Sequence, residues 1–258
     1  MILRRLTENL RAQNWTAIAI EFLIVVVGVF VGTQVSNWNA ERLRKIETGR
    51  MLEELVPELR SQVEYYEANQ RYYAKTRRYS ERAFAGWSGA PGVGDNEFVI
   101  AAYQASQITG LGINADSWSV TFGGEQLRNI KDPKIRRELE LVMTSDYSPV
   151  SFERVATRYR EQVRQVIPIG IQDLIRSECG DRNVLGKHGA YYVALPTNCA
   201  LQLDPGEAKA TAARLRARPD LVGELHWHLA AVAAYLANLK LLVLPMRDLQ
   251  RDLSKPSP

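Results

Sequence analysis

Histidine and cysteine, the residues that most often build metal centres and nucleophilic sites, are scarce in this chain. Only three histidines and two cysteines occur among its 258 residues. His226 and His228 lie two positions apart, and on a helix this spacing turns the two side chains about 200° away from each other. His188 lies between the two cysteines, but the spacing matches no zinc pattern. The sequence therefore predicts no metal site and no bound cofactor.

The sequence also lacks the local signatures of common catalytic sites. It contains no G-x-S-x-G, no H-E-x-x-H and no phosphate-binding G-x-x-x-x-G-K-[ST]. Catalytic residues that are distant in sequence can still converge in a fold, so an enzyme remains an alternative. His188, Asp181 and Glu178 are the residues that would converge in that case. We expect a noncatalytic protein and predict no catalytic residue.

Charge of one sign is nowhere concentrated. The chain has 33 Lys and Arg against 29 Asp and Glu, and its formal net charge is +4. No block of like charges stands out, and no Lys/Arg stripe is interleaved with aromatic residues in the way that favours stacked bases. Nucleic acid is therefore not an expected partner.

A long apolar run near the N-terminus is the clearest pattern in the sequence. Residues 17–35, AIAIEFLIVVVGVFVGTQV, contain one charged residue, Glu21, and are long enough to cross a hydrocarbon core of about 30 Å at about 1.5 Å per residue. Trp15 and Trp38 flank the run, where indole rings favour the two membrane interfaces. A cleavable signal peptide is the alternative, but no small-x-small site precedes a plausible mature start. We predict a short tail, 1–16, and a retained transmembrane helix, 17–35, whose first partner is the bilayer.

Three residues of this helix are candidates for contacts between membrane helices. Gly28 and Gly32 form a G-x-x-x-G pair, which allows two helices to approach closely. Glu21 lies near the N-terminal edge, where its carboxylate can reach the interface or contact a partner helix. Both interpretations of Glu21 remain open.

The stretch from residue 21 to residue 42 resembles the N-terminal signature of an uncharacterised bacterial family of small membrane-anchored proteins. In that signature an apolar run ends in Gln, here Gln34, and continues as Asn-Trp-Asn, here 37–39, and a Glu-Arg pair, here 41–42. A looser similarity lies around residues 124–138. The resemblance implies a membrane anchor followed by a helical domain of unknown function, and it brings no catalytic residues.

The two cysteines are a better guide to the orientation of the anchor than charge is. An even number of cysteines, Cys179 and Cys199, in one loop region fits a single disulfide in an oxidising compartment, and two unrelated free thiols are the alternative. We therefore predict an inner-membrane protein with a periplasmic domain, whereas a cytosolic domain would keep two free thiols. The basic residues do not decide the question, because they are nearly balanced on the two sides of the run: Arg4, Arg5 and Arg11 before it, and Arg42, Arg44, Lys45 and Arg50 after it.

The residue pattern after the apolar run predicts a mainly α fold. In it, the transmembrane helix continues into a stalk helix, and a helical bundle with one irregular loop region follows. Residues 36–87 have apolar and aromatic residues at helical spacing, which predicts a stalk helix that packs into the bundle. We expect a kink or a break in it at Pro57. Residues 88–258 form the bundle domain. Three helices in it have clear start signals: Asp132-Pro133, Ser148-Pro149 and Asp204-Pro205.

The last helix has the cleanest periodicity. From Pro219 to Leu253, apolar residues recur at spacings of three and four, which predicts a seam of the bundle that includes Tyr235, Leu242 and a core His228. A second membrane span over 229–244 is the alternative. Residues 180–204 form the irregular region, with one β-like run at 190–195.

These features predict a noncatalytic module that binds a protein partner, a second copy of itself or a small ligand in the periplasm. Two alternatives stay open: a membrane-tethered enzyme acting on envelope substrates, and a cytosol-facing subunit of a membrane complex. The compartment of the domain distinguishes the second alternative from the rest.

Overall fold

The computed structural model describes residues 15–110 and 125–255 and confirms the mainly α fold. The predicted tail up to residue 14, its three arginines and Gly124 lie outside the described residues. The described helices and strands are α1 (Trp15–Ser88), α2 (Asp95–Gln104), α3 (Glu125–Asn129), α4 (Pro133–Thr144), 3-10 turns at Ser148–Val150 and Phe152–Arg154, α5 (Arg158–Val166), α6 (Ile169–Cys179), β1 (Arg182–Leu185), β2 (Tyr191–Ala194), α7 (Pro205–Arg216) and α8 (Asp220–Leu253).

The chain divides into two compact units, residues 1–53 and 54–258. The first unit contains the apolar part of α1, and its large side chains, such as Phe22, Ile24 and Phe30, are exposed. A window of 18 residues in this helix has a mean hydropathy of 2.3 and no buried residue. Its length and composition suit a membrane anchor or a signal helix.

In the second unit, helix α1 continues through Pro57, so a break there is wrong, whereas a kink at this position stays a prediction. Proline removes one backbone hydrogen bond from a helix interior and strains the preceding turn. Leu55 and Leu59, on either side of the proline, are both buried. Burial of apolar side chains before and after the proline offsets this local cost.

Tyrosines of α1 form much of the core. Tyr66, Tyr72 and Tyr73 are buried, and the Tyr73 ring meets the Tyr235 ring of α8 edge-on at 5.2 Å. The Tyr235 hydroxyl donates a hydrogen bond to Oδ1 of Asn69 at 3.1 Å. The Tyr72 and Tyr73 hydroxyls donate to Asp181 and to the backbone oxygen of Thr109, so the stripe predicted for the stalk is a packing face whose polar tips find partners.

The seam of α8 is confirmed. The seam differs from the prediction at one position, where Val243 is buried and the predicted Leu242 is half-buried. The helix continues through Pro245. The buried residues of the helix are Leu221, Leu225, His228, Val232, Tyr235, Leu239, Val243, Met246 and Leu249.

Two of the three predicted helix starts are confirmed, and one is wrong. Asp132 caps α4 by accepting the N–H of Lys134 at 2.7 Å, and Asp204 caps α7 by accepting the N–H of Glu207 at 3.0 Å. Ser148 begins only a 3-10 turn, and Tyr147 rather than Ser148 occupies its capping position. Asp146 accepts the N–H of Ser148 at 2.9 Å and its hydroxyl at 3.0 Å, so Asp146 supplies the acceptor at the start of this turn.

The irregular region contains a two-stranded antiparallel hairpin. Leu185 of β1 lies opposite Tyr191 of β2, and Gly189 in the connecting turn has φ 84°, a conformation that favours glycine. The predicted disulfide is present, with the Cα atoms of Cys179 and Cys199 5.4 Å apart. It joins the end of α6 to the segment that follows β2, and it closes the loop that contains the hairpin.

Candidate functional site

A groove of about 750 Å³ lies beside the turn of the hairpin, within the second unit. Three elements form it: the part of α1 around residues 60–71, the hairpin, and the C-terminal part of α8. Its lining is mostly charged and polar, and the residues are Arg60, Val63, Glu64, Glu67, Arg71, Leu185, Gly186, Lys187, His188, Tyr192, Arg247, Gln250 and Arg251.

Glu64 fixes the hairpin turn to α1. Its carboxylate accepts the backbone N–H groups of Lys187 at 2.7 Å and His188 at 2.8 Å. The approach is close enough that a Cβ on Gly186 would collide with the carboxylate. Desolvation opposes ionisation of Glu64, but the two N–H donors, together with the nearby His188 and Arg71 side chains, lower the pKa of this carboxyl. The negative charge of Glu64 is therefore engaged in holding the turn.

The second carboxylate of the groove is also engaged. Glu67 accepts a hydrogen bond from Arg247 at 2.7 Å, and Arg71 lies 3.9 Å from its other oxygen. The Arg71 guanidinium lies 5.9 Å from the centre of the Tyr192 ring. These pairs are part-exposed, so each stabilises the fold by well under about 1 kcal/mol. Their main effect is to position two guanidinium groups along the groove.

The groove has a positive balance of charge. Its lining carries five lysine and arginine side chains and two glutamates. Arg60 and Lys187 are exposed, and Arg251 pairs with Asp248 at 2.7 Å. Guanidinium groups bind carboxylate and phosphate with two parallel hydrogen bonds, and clefts with walls of one sign concentrate ions of the other. The arrangement suits an anionic ligand.

The hairpin adds exposed apolar and aromatic surface at the edge of the groove. Leu185, which lines the groove, is 59 % exposed, and its cross-strand neighbour Tyr191 is 72 % exposed. Exposed aromatic and aliphatic side chains next to arginines are typical of protein interfaces. The groove therefore combines charged side chains, which can attract a partner of opposite charge, with apolar side chains, which can supply contact area.

The residues of the enzymatic alternative do not form a shared site in the described structure. Asp181 accepts a hydrogen bond from the Tyr72 hydroxyl at 3.0 Å, and desolvation of its carboxyl raises the pKa. His188 lies in the groove, and Glu178 is exposed at the end of α6. None of the described hydrogen bonds or ion pairs joins any two of these three side chains.

Two arginines of α5 have a structural role beside Asp181. Arg160 donates to the backbone oxygen of Ser106 at 2.7 Å, and Arg164 donates to Oε1 of Gln107 at 2.8 Å. Arg164 also lies 4.7 Å from the centre of the Tyr103 ring. These groups follow the C-terminal end of α2, where cations stabilise the helix dipole.

The helical histidines are not placed as metal ligands. His228 is fully buried, and its Nδ1 lies 2.8 Å from the Thr157 hydroxyl. Burial, with Arg160 nearby, lowers the pKa of His228 to about 4. His226 is exposed and stacks against Phe84 at 4.5 Å. Within residues 15–110 and 125–255, no group of three or more His, Cys, Asp or Glu side chains is arranged to hold a metal ion.

Two of the three predicted packing residues of the apolar helix, Gly28 and Gly32, face open space. No atom lies within 4 Å of a Cβ added at Gly28 or Gly32. Trp15 and Trp38 are 72 % and 67 % exposed, and Glu21 is half-buried. The surface that these residues were predicted to offer to a membrane or a second helix is therefore accessible in the first unit.

The groove was not found by reasoning from the sequence. One signal for it exists, because Arg60, Glu64, Glu67 and Arg71 follow spacings of four, three and four and so share one face of α1. Their partners come from the hairpin and from α8, more than a hundred residues away. No local pattern pairs such distant groups.

Comparison with known proteins does not assign the groove a function. No protein-family model, no curated protein and no solved structure matches the chain.

Proposed function

We propose that this protein is a noncatalytic, single-pass protein of the inner membrane whose periplasmic helical domain binds an acidic segment of a protein partner. The binding site is the groove between α1, α8 and the hairpin. One observation carries the proposal: both glutamates of the groove are engaged within the fold, while cationic side chains outnumber them along its walls.

The membrane part of the proposal rests on the apolar helix and its flanks. The uncharged run after Glu21 is long enough to span a bilayer, and a tryptophan lies near each end of it. The resemblance of residues 21–42 to a family of anchored proteins supports a retained helix. The disulfide between Cys179 and Cys199 supports a domain that folds outside the reducing cytosol.

An acidic protein segment fits the groove better than a small molecule does. Pockets for small molecules are mostly apolar and enclose the ligand, with only a few polar groups. This groove is open and mostly charged, and the exposed Leu185 and Tyr191 lie at its edge. Complementary charge gives fast and selective association between proteins, and the apolar side chains supply contact area.

Photocrosslinking in cells tests the groove. A photoreactive amino acid in place of Leu185 is expected to form an adduct with a protein, and charge reversal by Arg60→Glu with Arg71→Glu is expected to reduce that adduct roughly tenfold. The matched control is Lys209→Glu with Arg214→Glu, two exposed positions on α7 that do not line the groove. Equal loss in both double variants would contradict binding in the groove.

A defined probe tests the charge of the ligand. The full-length chain in detergent micelles is titrated with a fluorescent ten-residue oligoglutamate peptide and, as control, with oligolysine. We expect binding of oligoglutamate only, weakened by added salt because the contacts are ionic. Binding of both peptides, or of neither, would count against an acidic partner.

Thiol labelling tests the compartment. In intact cells, Cys179 and Cys199 are expected to resist labelling until reductant is added, and a C-terminal tag is expected to be open to protease in spheroplasts. Free thiols together with a protected tag would place the domain in the cytosol. The cytosol-facing alternative would then replace the periplasmic one.

A further inference from the structure

Strand β1 of the hairpin has a free edge. Gly186 donates its N–H to the backbone oxygen of Ala190 at 2.7 Å, one step beyond the last pair of the strands. Hydrogen-bonded and non-hydrogen-bonded pairs alternate in an antiparallel ladder, so Asn183 and Leu185 direct their N–H and C=O groups away from β2. Among the described residues, none of the hydrogen bonds outside the ladder engages these backbone groups. We call them the β1 edge.

The β1 edge is accessible and continues into the groove. Three of the four residues of β1 are exposed, whereas three of the four residues of β2 are half-buried. Helix α1 contacts the β2 side of the hairpin, because Arg71 lies over the Tyr192 ring and Lys75 donates to the backbone oxygen of Leu195 at 2.6 Å. Leu185, at one end of the β1 edge, lines the groove. A chain that lies in the groove therefore meets unpaired backbone groups there.

We infer that the acidic segment of the partner binds in an extended conformation and adds to the β1 edge as a third strand. This inference rests on the proposed function of the groove and specifies the form of the ligand. In this mode of recognition, main-chain hydrogen bonds contribute affinity and alternate side chains determine specificity. A four-residue strand offers few main-chain bonds, so the side chains of the segment supply much of the contact.

The two faces of the hairpin differ, so the two sets of side chains in the added strand meet different surroundings. On one face, Leu185 and Tyr191 are 59 % and 72 % exposed. On the other face, the Tyr192 ring is turned to Arg71 of α1. Successive side chains of a strand point to opposite faces. Every second residue of the segment therefore lies on the apolar face, and the residues between them point toward α1.

Unpaired cations of the groove favour acidic side chains at the positions that point toward α1. Arg60 on α1 and Lys187 in the hairpin turn are exposed and line the groove. In the described part of the chain, the side chains of these two residues take part in none of the ion pairs, whereas Arg247 is paired with Glu67. A carboxylate of the partner can therefore pair with Arg60 or Lys187 without breaking an internal ion pair. The expected ligand is an extended segment in which acidic and apolar residues alternate.

Backbone methylation of a peptide probe tests the strand pairing. The probe is an octapeptide of alternating glutamate and leucine, titrated into the full-length chain in detergent micelles. Alternate residues of a strand direct their N–H groups to the same edge, so methyl groups on the leucine nitrogens block one edge and methyl groups on the glutamate nitrogens block the other. We expect one methylated peptide to bind roughly tenfold more weakly than the parent and the other to bind unchanged. Loss with the methylated leucines indicates antiparallel addition, and loss with the methylated glutamates indicates parallel addition.

Equal affinity of the two methylated peptides would overturn the inference, because neither edge of the peptide would then be preferred. If both bind as tightly as the parent, the groove binds the acidic segment without strand pairing, and the proposed function stands alone. If the parent octapeptide itself does not bind, the proposed function and the inference fail together.

Proline variants test the same edge from the side of the protein. Asn183 and Val193 are cross-strand neighbours, and their N–H groups point to opposite outer edges of the hairpin. Proline at either position therefore leaves the ladder between the strands intact. We expect Asn183→Pro to weaken binding of the octapeptide roughly tenfold and the matched control Val193→Pro to leave it unchanged, with circular dichroism confirming that both variants fold.

Two results of the proline comparison would contradict the inference. Equal loss of peptide binding in both variants would show that the β1 edge has no special role. Sedimentation of the full-length chain without peptide gives the second test. If Asn183→Pro removes a dimer there and Val193→Pro does not, the β1 edge pairs with a second copy, and the inference of a partner segment is wrong.

Discussion

Two helices in the described part of this protein are long and apolar enough to cross a membrane, yet they differ in what surrounds them. The most apolar window of α1 has a mean hydropathy of 2.3 and none of it is buried, whereas that of α8 has 1.8 and 28 % of it is buried. Residues 22–35 of α1 are exposed on every side. By contrast, α8 buries one continuous side in a protein core.

The polar side chains of the two helices distinguish them better than their mean hydropathy does. The seam of α8 contains Tyr235 and His228, and each has a polar partner within the bundle, Asn69 and Thr157. Lys240 lies on the exposed side of the same helix. Such groups find polar partners in a folded domain and are costly at the centre of a bilayer. Length and mean hydropathy alone would assign both helices the same role.

The largest effect is expected from charges in the apolar run of α1. Each arginine near the centre of a membrane helix costs about 2.5–3.5 kcal/mol of insertion free energy, so Val25→Arg with Val29→Arg is expected to release the chain from the membrane. Carbonate extraction followed by immunoblotting measures the released fraction.

The same change in α8 is the matched control for that prediction. Ala233 and Ala237 have the same spacing of four and are exposed. Arginine at both positions is expected to leave the chain in the membrane fraction, because α8 belongs to the folded domain. Release of this control variant would show that α8 also contacts the bilayer and would remove the distinction between the helices.

A smaller effect is expected from truncation of one leucine in each helix. Leu239 is fully buried in the seam, so Leu239→Ala is expected to lower the free energy of unfolding of the domain by about 2–5 kcal/mol. Leu23→Ala, in the exposed apolar run, is expected to change it by less than about 0.5 kcal/mol. Thermal unfolding of both variants in the same detergent, followed by circular dichroism, compares them. Equal destabilisation would mean that the run packs against the domain.

The sequence alone predicted those parts of the fold that depend on local chemistry. The seam of α8, the caps at Asp132 and Asp204 and the disulfide follow from spacing, capping residues and cysteine count, and all are present. The helix start at Ser148 was wrong because Asp146, two residues earlier, accepts both the N–H and the hydroxyl of Ser148 and holds this segment in a tight turn. Composition does not reveal that turn geometry.

The groove could not be predicted because it depends on contacts between distant residues. Glu64 and Lys187 are 123 residues apart, and Glu67 and Arg247 are 180 apart. Strand β1 was also missed, since its residues are mostly exposed and lack the apolar alternation of a half-buried strand. Periodicity identifies which face of a helix is buried, but not which distant charges will meet on its other face.

The smallest effect is expected from the histidine in the seam of α8, a group with no counterpart in the apolar run of α1. The folded pKa of His228 is about 4, below its value of about 6.5 in an unfolded chain, so the unfolded state takes up the proton first as pH falls. The stability contributed by neutral His228 is therefore complete above about pH 6.5 and is lost toward pH 4. Between pH 7.5 and pH 5 the loss amounts to about 2 kcal/mol.

Urea unfolding at the two pH values measures how far the free energy of unfolding depends on pH. We expect this pH dependence to be reduced by about that amount in His228→Gln and to be unchanged in His226→Gln, whose side chain is exposed. If His228→Gln keeps the full dependence, other groups cause it, and the polar residue in the seam contributes nothing to the pH response of α8.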